Sequence, residues 1–202
     1  IVRDSSAVRN GGGLFNDQEE GTVSLLNASF LNNEAGSGGA IYNQELGVIN
    51  LNLSDLMNNT ASVNGGGIFN TADATINVHR STVDGNTALY GAGIYNDDVA
   101  QLNLIDSTVS NNVASNDGGG LFNNSLVVGD IVNATISGNE ALNGAGIYNT
   151  EEGAMEITNA TVFNNAATTG GGIFNETDGS VSVVNTIIAG NSATVVSSDL
   201  MG

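Results

Sequence analysis

A six-residue block recurs seven times along this chain of 202 residues, and it restricts the possible folds more than any other feature. Each copy contains three small residues, an aliphatic residue, an aromatic residue and an asparagine, as in Gly65-Gly66-Gly67-Ile68-Phe69-Asn70. The copies begin at Gly11, Gly38, Gly65, Gly91, Gly118, Gly144 and Gly170, at spacings of 26 or 27 residues. A fixed period of this length indicates a solenoid, in which each repeat packs against its neighbours.

A second pattern lies half a period after each block. An apolar residue is followed three positions later by an asparagine, and two positions after that by an alanine, as in Val109, Asn112 and Ala114. Elsewhere in the period apolar residues alternate with other residues, as Ile76 and Val78 do. Alternation with a period of two indicates strands, so each period predicts two or three short strands joined by turns.

Such strands pair with their equivalents in the next period, because within one period each strand bends away from the last. We therefore expect an all-β fold, a right-handed parallel β-helix of about seven coils of 26–27 residues. The chain contains no proline, which would interrupt strand pairing. We expect one domain over residues 1–202, with a partial first coil at 1–10, seven repeats at 11–193 and a closing segment at 194–202.

Two asparagine columns follow from this stacking. An asparagine in a turn can bond the backbone of its neighbours and the identical side chain one coil away. We predict that both columns are structural ladders. The first contains Asn16, Asn43, Asn70, Asn96, Asn123, Asn149 and Asn175. The second contains Asn33, Asn59, Asn86, Asn112, Asn139, Asn165 and Asn191.

The aromatic residue of each block should point outward if the preceding aliphatic residue points into the core. The column alternates phenylalanine and tyrosine, and two interpretations stay open. It is an exposed contact stripe for glycans or partner chains, or a turn or flanking loop covers it. Its members are Phe15, Tyr42, Phe69, Tyr95, Phe122, Tyr148 and Phe174.

The charge excludes several partners. Three arginines and no lysine stand against 21 acidic residues, which gives a net charge of −18. Such a surface repels nucleic acid and an anionic membrane face, and no apolar run is long enough for membrane insertion. Acidic residues cluster after the blocks, where they form either weak calcium sites or a plain solvated face. The calcium candidates are Asp17, Glu19, Asp97, Asp98, Glu151, Glu152, Glu176 and Asp178. No other cofactor is expected.

The chain offers few candidate catalytic groups. His79 and Arg80 are the one basic pair on a central coil, with no acidic constellation evident beside them, and Asp97-Asp98 is the only pair of adjacent aspartates. Neither matches the paired carboxylates or the nucleophile–base sets that catalysis needs. We therefore expect no enzyme, with a polysaccharide lyase or hydrolase as the alternative. An ice-binding protein is a second alternative, because Thr82, Thr108, Thr135 and Thr161 form an outward column.

Several short motifs of the repeat resemble those of a known protein family. Gly38-Gly39-Ala40-Ile41 and Phe30-Leu31-Asn32-Asn33 are similar to the GGAI and FxxN tetrapeptides of polymorphic outer membrane proteins. Together with Asn185 to Asn191 (NTIIAGN) and a PDL-like close at Ser198-Asp199-Leu200, the whole chain resembles bacterial right-handed β-helix repeat proteins, including CSLREA-type surface proteins. The resemblance implies secretion, surface display and adhesion, and it supplies no catalytic residues.

The expected function is therefore that of a non-enzymatic, extracellular structural or adhesive module of a cell-surface protein or fibre. Its export signal and anchor would lie outside this sequence. Glycans or surface proteins are the expected lateral partners. We expect each end of the rod to contact further β-structure, either adjoining β-helix segments or other copies, because bare ends would leave strand edges unpaired.

Overall fold

The computed structural model describes residues 1–17 and 21–202. These residues form 30 strands and no helix, and every strand pair is parallel. Each strand pairs with its equivalent one period later, so that Ile68 lies beside Ile94 and Asn70 beside Asn96. The chain is a parallel β-helix, as the repeat predicts.

Four sheets run along the axis, numbered here in the order in which the chain visits them after the six-residue block. Sheet 1 contains Leu14–Asp17, Ile41–Gln44, Ile68–Asn70, Ile94–Asp98, Leu121–Ser125, Ile147–Asn149, Ile173–Asn175 and Leu200–Met201. Sheet 2 contains Thr22–Leu26, Val48–Asn52, Thr75–His79, Gln101–Ile105, Gly129–Val132, Ala154–Thr158 and Ser180–Val184. Sheet 3 contains Val2–Arg3, Ser29–Leu31, Asp55–Met57, Thr82–Asp84, Thr108–Ser110, Thr135–Ser137, Thr161–Phe163 and Ile187–Ala189. Sheet 4 contains Glu34–Ala35, Thr60–Ala61, Thr87–Ala88, Val113–Ala114, Glu140–Asn143, Ala166–Thr169 and Ser192–Val196.

The prediction of two or three strands per period was wrong, because a complete coil has four. Sheet 4 is the sheet that the sequence pattern did not reveal. In three central coils its strands are only two residues long, as in Thr87–Ala88. A strand of two residues shows no alternation, so periodicity alone cannot detect it.

The core is a continuous column of aliphatic side chains contributed by sheets 1, 2 and 3. Ile94, Leu102, Leu104 and Val109 belong to one coil and are fully buried. In the first coils Phe30 is buried, and Leu14 and Leu25 pack against the core. Stacking like on like thus removes the inward-facing apolar side chains of the central coils from water.

Both ends of the rod leave inward-facing residues partly exposed. At one end Leu14 and Val23 are half-buried, and at the other Val183 and Leu200 are 37% and 49% exposed. Residues 1–10 lie over the second half of the next coil, because Val2 pairs with Phe30 and Asn10 bridges to Ser37. The segment at 194–202 completes a strand of sheet 4 and then adds a strand to sheet 1.

The turn between sheets 2 and 3 has the same backbone conformation in every coil. One residue in each turn has φ between 47° and 54°, a region that asparagine and aspartate tolerate better than other non-glycine residues. These residues are Asn27, Leu53, Arg80, Asp106, Asn133, Asn159 and Asn185. The turn therefore projects Arg80 and Asp106 outward at equivalent positions of adjacent coils.

None of the described residues belongs to a helix that is long and apolar enough to cross a membrane.

Candidate functional site

The first asparagine ladder is formed by the last residue of each six-residue block. Each Nδ2 donates to the Oδ1 of the equivalent asparagine in the next coil, at 2.8–3.1 Å over the six steps from Asn16 to Asn175. Nδ2 of Asn96 also donates to the carbonyl oxygen of Ala100 at 3.0 Å, across the turn into sheet 2. The ladder therefore satisfies turn backbone as well as side chains.

The second asparagine ladder lies at the turn between sheets 3 and 4 and is bonded more completely. The backbone nitrogen and Nδ2 of Asn112 both donate to Oδ1 of Asn139 at 3.0 Å, and Nδ2 donates to the carbonyl oxygen of Val83 at 3.1 Å. The same pattern repeats from Asn33 to Asn191, and all seven side chains are buried. Both predicted ladders are present.

A third row, of serines, was not predicted. These serines lie directly before the strands of sheet 3. The backbone nitrogen of Ser54 donates to Oγ of Ser81 at 3.0 Å, and the backbone nitrogen of Ser81 donates to Oγ of Ser107 at 3.1 Å. Ala134 and Ala160 interrupt the row, and Thr186 resumes it by accepting from the nitrogen of Ala160. The signal in the sequence was a column of small residues at this position.

The aromatic rings of successive blocks stack in one column, with ring centroids 4.6–5.3 Å apart from Phe15 to Phe174. Its central rings are not an exposed stripe, however. Tyr42, Phe69, Phe122 and Tyr148 are buried, whereas Phe15 is 45% exposed. The stacked faces cover one another, and the Tyr90 ring packs edge-on against Phe122 at 5.9 Å. The interpretation of a covered column therefore describes these four rings.

The tyrosines of this column have carboxylates nearby. Burial raises the pKa of Tyr42, Tyr95 and Tyr148, and nearby carboxylates raise the pKa of all three further. The Tyr148 hydroxyl donates to Oε1 of Glu176, whose Oε2 accepts from the backbone nitrogen of Glu151 at 2.9 Å. The raised pKa values keep these phenols protonated, and the Tyr148 hydroxyl acts as a hydrogen-bond donor.

Several candidate calcium ligands are engaged in hydrogen bonds within the protein. Asp17 accepts from Gln44 at 2.7 Å and Asp97 from Asn124 at 2.8 Å. Within residues 1–17 and 21–202, no three histidine or acidic side chains converge as a metal site would require. Glu19 lies outside the described residues. Calcium binding stays an untested prediction, without a preformed cage in the described part of the chain.

His79 and Arg80 do have an acidic neighbour, contrary to the sequence-based interpretation. Asp106, one coil further on, has Oδ2 3.1 Å from Nε2 of His79 and 4.0 Å from Nε of Arg80. Its Oδ1 accepts from Nδ2 of Asn133 at 3.1 Å. The bond from Asn133, followed by that from His79, lowers the pKa of Asp106. Adding one period to the position of Arg80 points to Asp106, so the sequence contained this signal.

This cluster lies on an open, exposed turn, and one carboxylate with one histidine does not make the paired set that glycoside cleavage needs. A depression of about 550 Å³ between sheets 2 and 3 is lined by Asn159, Thr161, Asn185 and Ile187, with Ala160, Val183 and Thr186. Its lining includes no histidine and no carboxylate.

The threonine column behind the ice-binding alternative is present, since Thr82, Thr108, Thr135 and Thr161 align in adjacent coils. The next outward column is irregular, because it contains Asp84, Ser110, Ser137 and Phe163.

The family model of the Chlamydia polymorphic membrane protein repeat matches residues 27–44 and 55–71. In these two coils the chain is therefore similar to the repeats of polymorphic membrane proteins. Each matched segment runs from sheet 3 through sheet 4 to sheet 1 and contains one residue of each ladder, Asn33 with Asn43 and Asn59 with Asn70. The chain has no significant match among the curated proteins or the solved structures.

Most of the recurring residues of this chain belong to the framework of the rod. Asparagines, small residues and alternating aliphatic residues hold the coils together through buried bonds and packing. Two outward columns are regular, that of the aromatic rings and that of the threonines, whereas the column of Asp84, Ser110, Ser137 and Phe163 differs from coil to coil. The recurring residues therefore build the scaffold, and part of the lateral surface varies.

Proposed function

We propose that this chain is a non-enzymatic structural or adhesive module displayed on the outside of a cell. The observation that carries the proposal is the match of two segments, residues 27–44 and 55–71, to a repeat of a membrane protein family. The recurring residues of this rod form the ladders and the core, so the rod is a rigid support. Its variable outward positions are available for contact with partners.

The charge supports contact with cationic groups or with neutral glycans rather than with nucleic acid. The net charge of −18 is spread over a chain with three arginines, two of which, Arg3 and Arg9, lie in the first half-coil. Phe15 is the exposed member of the aromatic column and lies next to Asp17 in the same strand. An aromatic face beside a hydrogen-bonding carboxylate is a chemistry that suits sugar rings.

End-to-end contact is part of the proposal. The inward-facing residues Val183 and Leu200 at one end, and Val23 at the other, would become buried if further β-helix coils stacked there. Adjoining coils of a longer polypeptide are the occupant that this geometry suits best, because they continue the same parallel sheets. Small-angle scattering and sizing of the 202-residue chain test this contact, since a stable monomer with both end coils solvated would contradict it.

Surface display is tested on intact cells of the source. An antibody raised against the folded chain should label unpermeabilised cells, and external protease should remove that label while a cytoplasmic marker survives. Labelling only after permeabilisation would contradict the proposal. Binding of the purified chain to a glycan array and to host-cell surfaces then tests the adhesive role, with a Phe15→Ala variant as the probe of the exposed ring.

The alternative of a polysaccharide-active enzyme rests on one observation, the proximity of His79 and Arg80 to Asp106. Incubation with pectin, alginate and related polyuronides should produce no turnover above background. Cleavage that disappears in a His79→Ala, Arg80→Ala double variant would favour the enzyme. An Asn116→Ala variant, in the turn between sheets 4 and 1, provides the control.

A further inference from the structure

The second asparagine ladder ends on a carboxylate. Asn191 is its seventh member, and its backbone nitrogen and Nδ2 donate to Oδ1 of Asp199 at 3.2 and 3.0 Å. In each earlier coil the same two donors bond the Oδ1 of the next asparagine, as those of Asn165 bond Asn191 at 3.0 and 2.9 Å. Asp199 thus takes the place of an eighth ladder residue, and Asn191 is only 7% exposed.

Asp199 reaches this place from a different position in the coil. The backbone of Ser198 and Asp199 accepts from Gly172 and Ile173, and Leu200 pairs with Ile173, so Ser197 to Gly202 occupy the place of a further six-residue block. Asp199 therefore corresponds to the third small residue of that block. A Cβ built on the equivalent Gly172 would lie 2.8 Å from Nδ2 of Asn191. The side chain at this position points at the ladder.

We propose that Asp199 terminates the second asparagine ladder and thereby closes this end of the rod to a further coil of the same repeat. A ladder propagates because each amide accepts through Oδ1 and donates through Nδ2, whereas an ionised carboxylate only accepts. The carboxylate also fills the space that the asparagine of the next coil would need. Ala40 occupies the equivalent position in an earlier block, so a methyl group there is tolerated and the carboxylate is what closes the ladder.

The closure concerns coils that carry the ladder asparagine. The first half-coil of this chain has Ser5 at that position, where its backbone nitrogen donates to Oδ1 of Asn33 at 3.2 Å and no side-chain amide is present. At the end that carries Asp199, the end-to-end contact proposed above is therefore limited to partner coils that have a small residue, such as serine, in place of the ladder asparagine. The role of Asp199 holds whether or not the chain is displayed on a cell.

Hydrogen exchange of Asn191 tests the termination directly. We expect the backbone amide of Asn191 to exchange at least about tenfold faster in Asp199→Ala than in the wild type, because its acceptor is lost. Asp199→Asn should keep the protection, since an amide oxygen also accepts, and the exposed Asp178→Ala serves as the control for loss of a carboxylate at this end. Unchanged exchange in Asp199→Ala, or a loss of protection in Asp199→Asn equal to that in Asp199→Ala, would overturn the assignment.

A chain lengthened by one coil tests the closure. A second copy of residues 176–202 is attached after Gly202, once with Asp199 retained and once with Asp199→Gly, which restores the small residue of the block. We expect the added strands to be protected from exchange only in the Asp199→Gly chain. Equal protection in the two chains, whether high or low, would show that Asp199 does not close the end.

Discussion

At the scale of single residues, this protein is held together by amides that donate and accept along one line. A buried polar group without a partner costs free energy, and the two ladders avoid that cost by giving each asparagine a copy of itself as neighbour. Asn112 has bonds to Asn86, Asn139 and Val83, so none of its polar atoms is left unpaired. The same translation that builds the coil thus supplies the hydrogen-bond partners.

Removal of one rung should therefore be costly. We expect Asn112→Ala to lower the free energy of unfolding by roughly 1–3 kcal/mol, because it leaves buried donors and an acceptor of adjacent coils unpaired. Asn77→Ala is the matched control, since Asn77 also bonds an identical residue one coil away but is half-exposed, and water can replace the lost partner. Denaturant unfolding measures both variants. Equal decreases in the free energy of unfolding would show that burial of the asparagine does not determine the cost of its removal.

The exposed cluster around Asp106 predicts a dependence on pH. Its pKa is lowered in the folded protein, so the ionised carboxylate contributes stability above the pKa of the unfolded chain, and this contribution is lost as pH falls through the lower, folded pKa. We expect Asn133→Ala to raise the pKa of Asp106 more than His79→Ala does, because the Asn133 hydrogen bond is the larger cause. Titration of the Asp106 carboxyl carbon by NMR measures this shift, and the opposite order would contradict the assignment.

At the scale of elements, the column of aromatic rings is an outer layer that stiffens sheet 1. Its rings project away from the aliphatic core, yet stacking and the edge of Tyr90 keep the central ones from water. Near-parallel stacking is closest around Phe122, which lies 4.6 Å from Tyr95 and 5.1 Å from Tyr148, at interplanar angles of 10° and 5°. Aromatic pairs in such offset contact stabilise beyond the area they bury.

Truncation of the central ring should accordingly cost more than truncation of the terminal one. We expect Phe122→Ala to destabilise by about 3–5 kcal/mol, the usual cost of removing a buried aromatic side chain. Phe15→Ala should cost clearly less, because that ring is 45% exposed and has one stacking neighbour, Tyr42. Thermal unfolding of the two variants tests the difference, and comparable losses would show that the column is not a packed layer.

At the scale of the whole molecule, stability should vary along the rod. A central coil packs against a neighbour on each side, whereas the inward-facing Val183 and Leu200 of the last coils are partly exposed. In a solenoid the stability of a coil is close to its own contribution plus those of its two interfaces. The ends are therefore the first parts to open.

Hydrogen exchange measures this gradient. We expect amides of sheet 1 at Ile94 and Leu121 to exchange slowest, and those of Leu14 and Leu200 to exchange faster by orders of magnitude, because opening an end coil breaks one interface instead of two. Uniform protection along the rod would contradict nearest-neighbour stacking and would indicate a single cooperative unit.

The sequence alone determined what repeats along the axis. A period of 26 or 27 residues, glycine blocks, alternating aliphatic residues and recurring asparagines predicted the parallel β-helix, its inward columns and both ladders. These predictions succeed because stacking is a translation, so the neighbour of Asn112 on the axis is found by adding one period. The acidic neighbour of Arg80 could have been found in the same way, since Asp106 lies 26 residues further on.

Only the tertiary structure decided what depends on the cross-section of a coil. The two-residue strands of sheet 4, the covering of Phe122 by Tyr90 and the reach of Asp199 into the second ladder all bring together residues at different phases of the period. Their proximity depends on how sharply each turn bends the backbone, which a repeat pattern does not encode. Contacts between equivalent residues of adjacent coils can be predicted from the sequence. Contacts between different columns depend on the three-dimensional path of each coil.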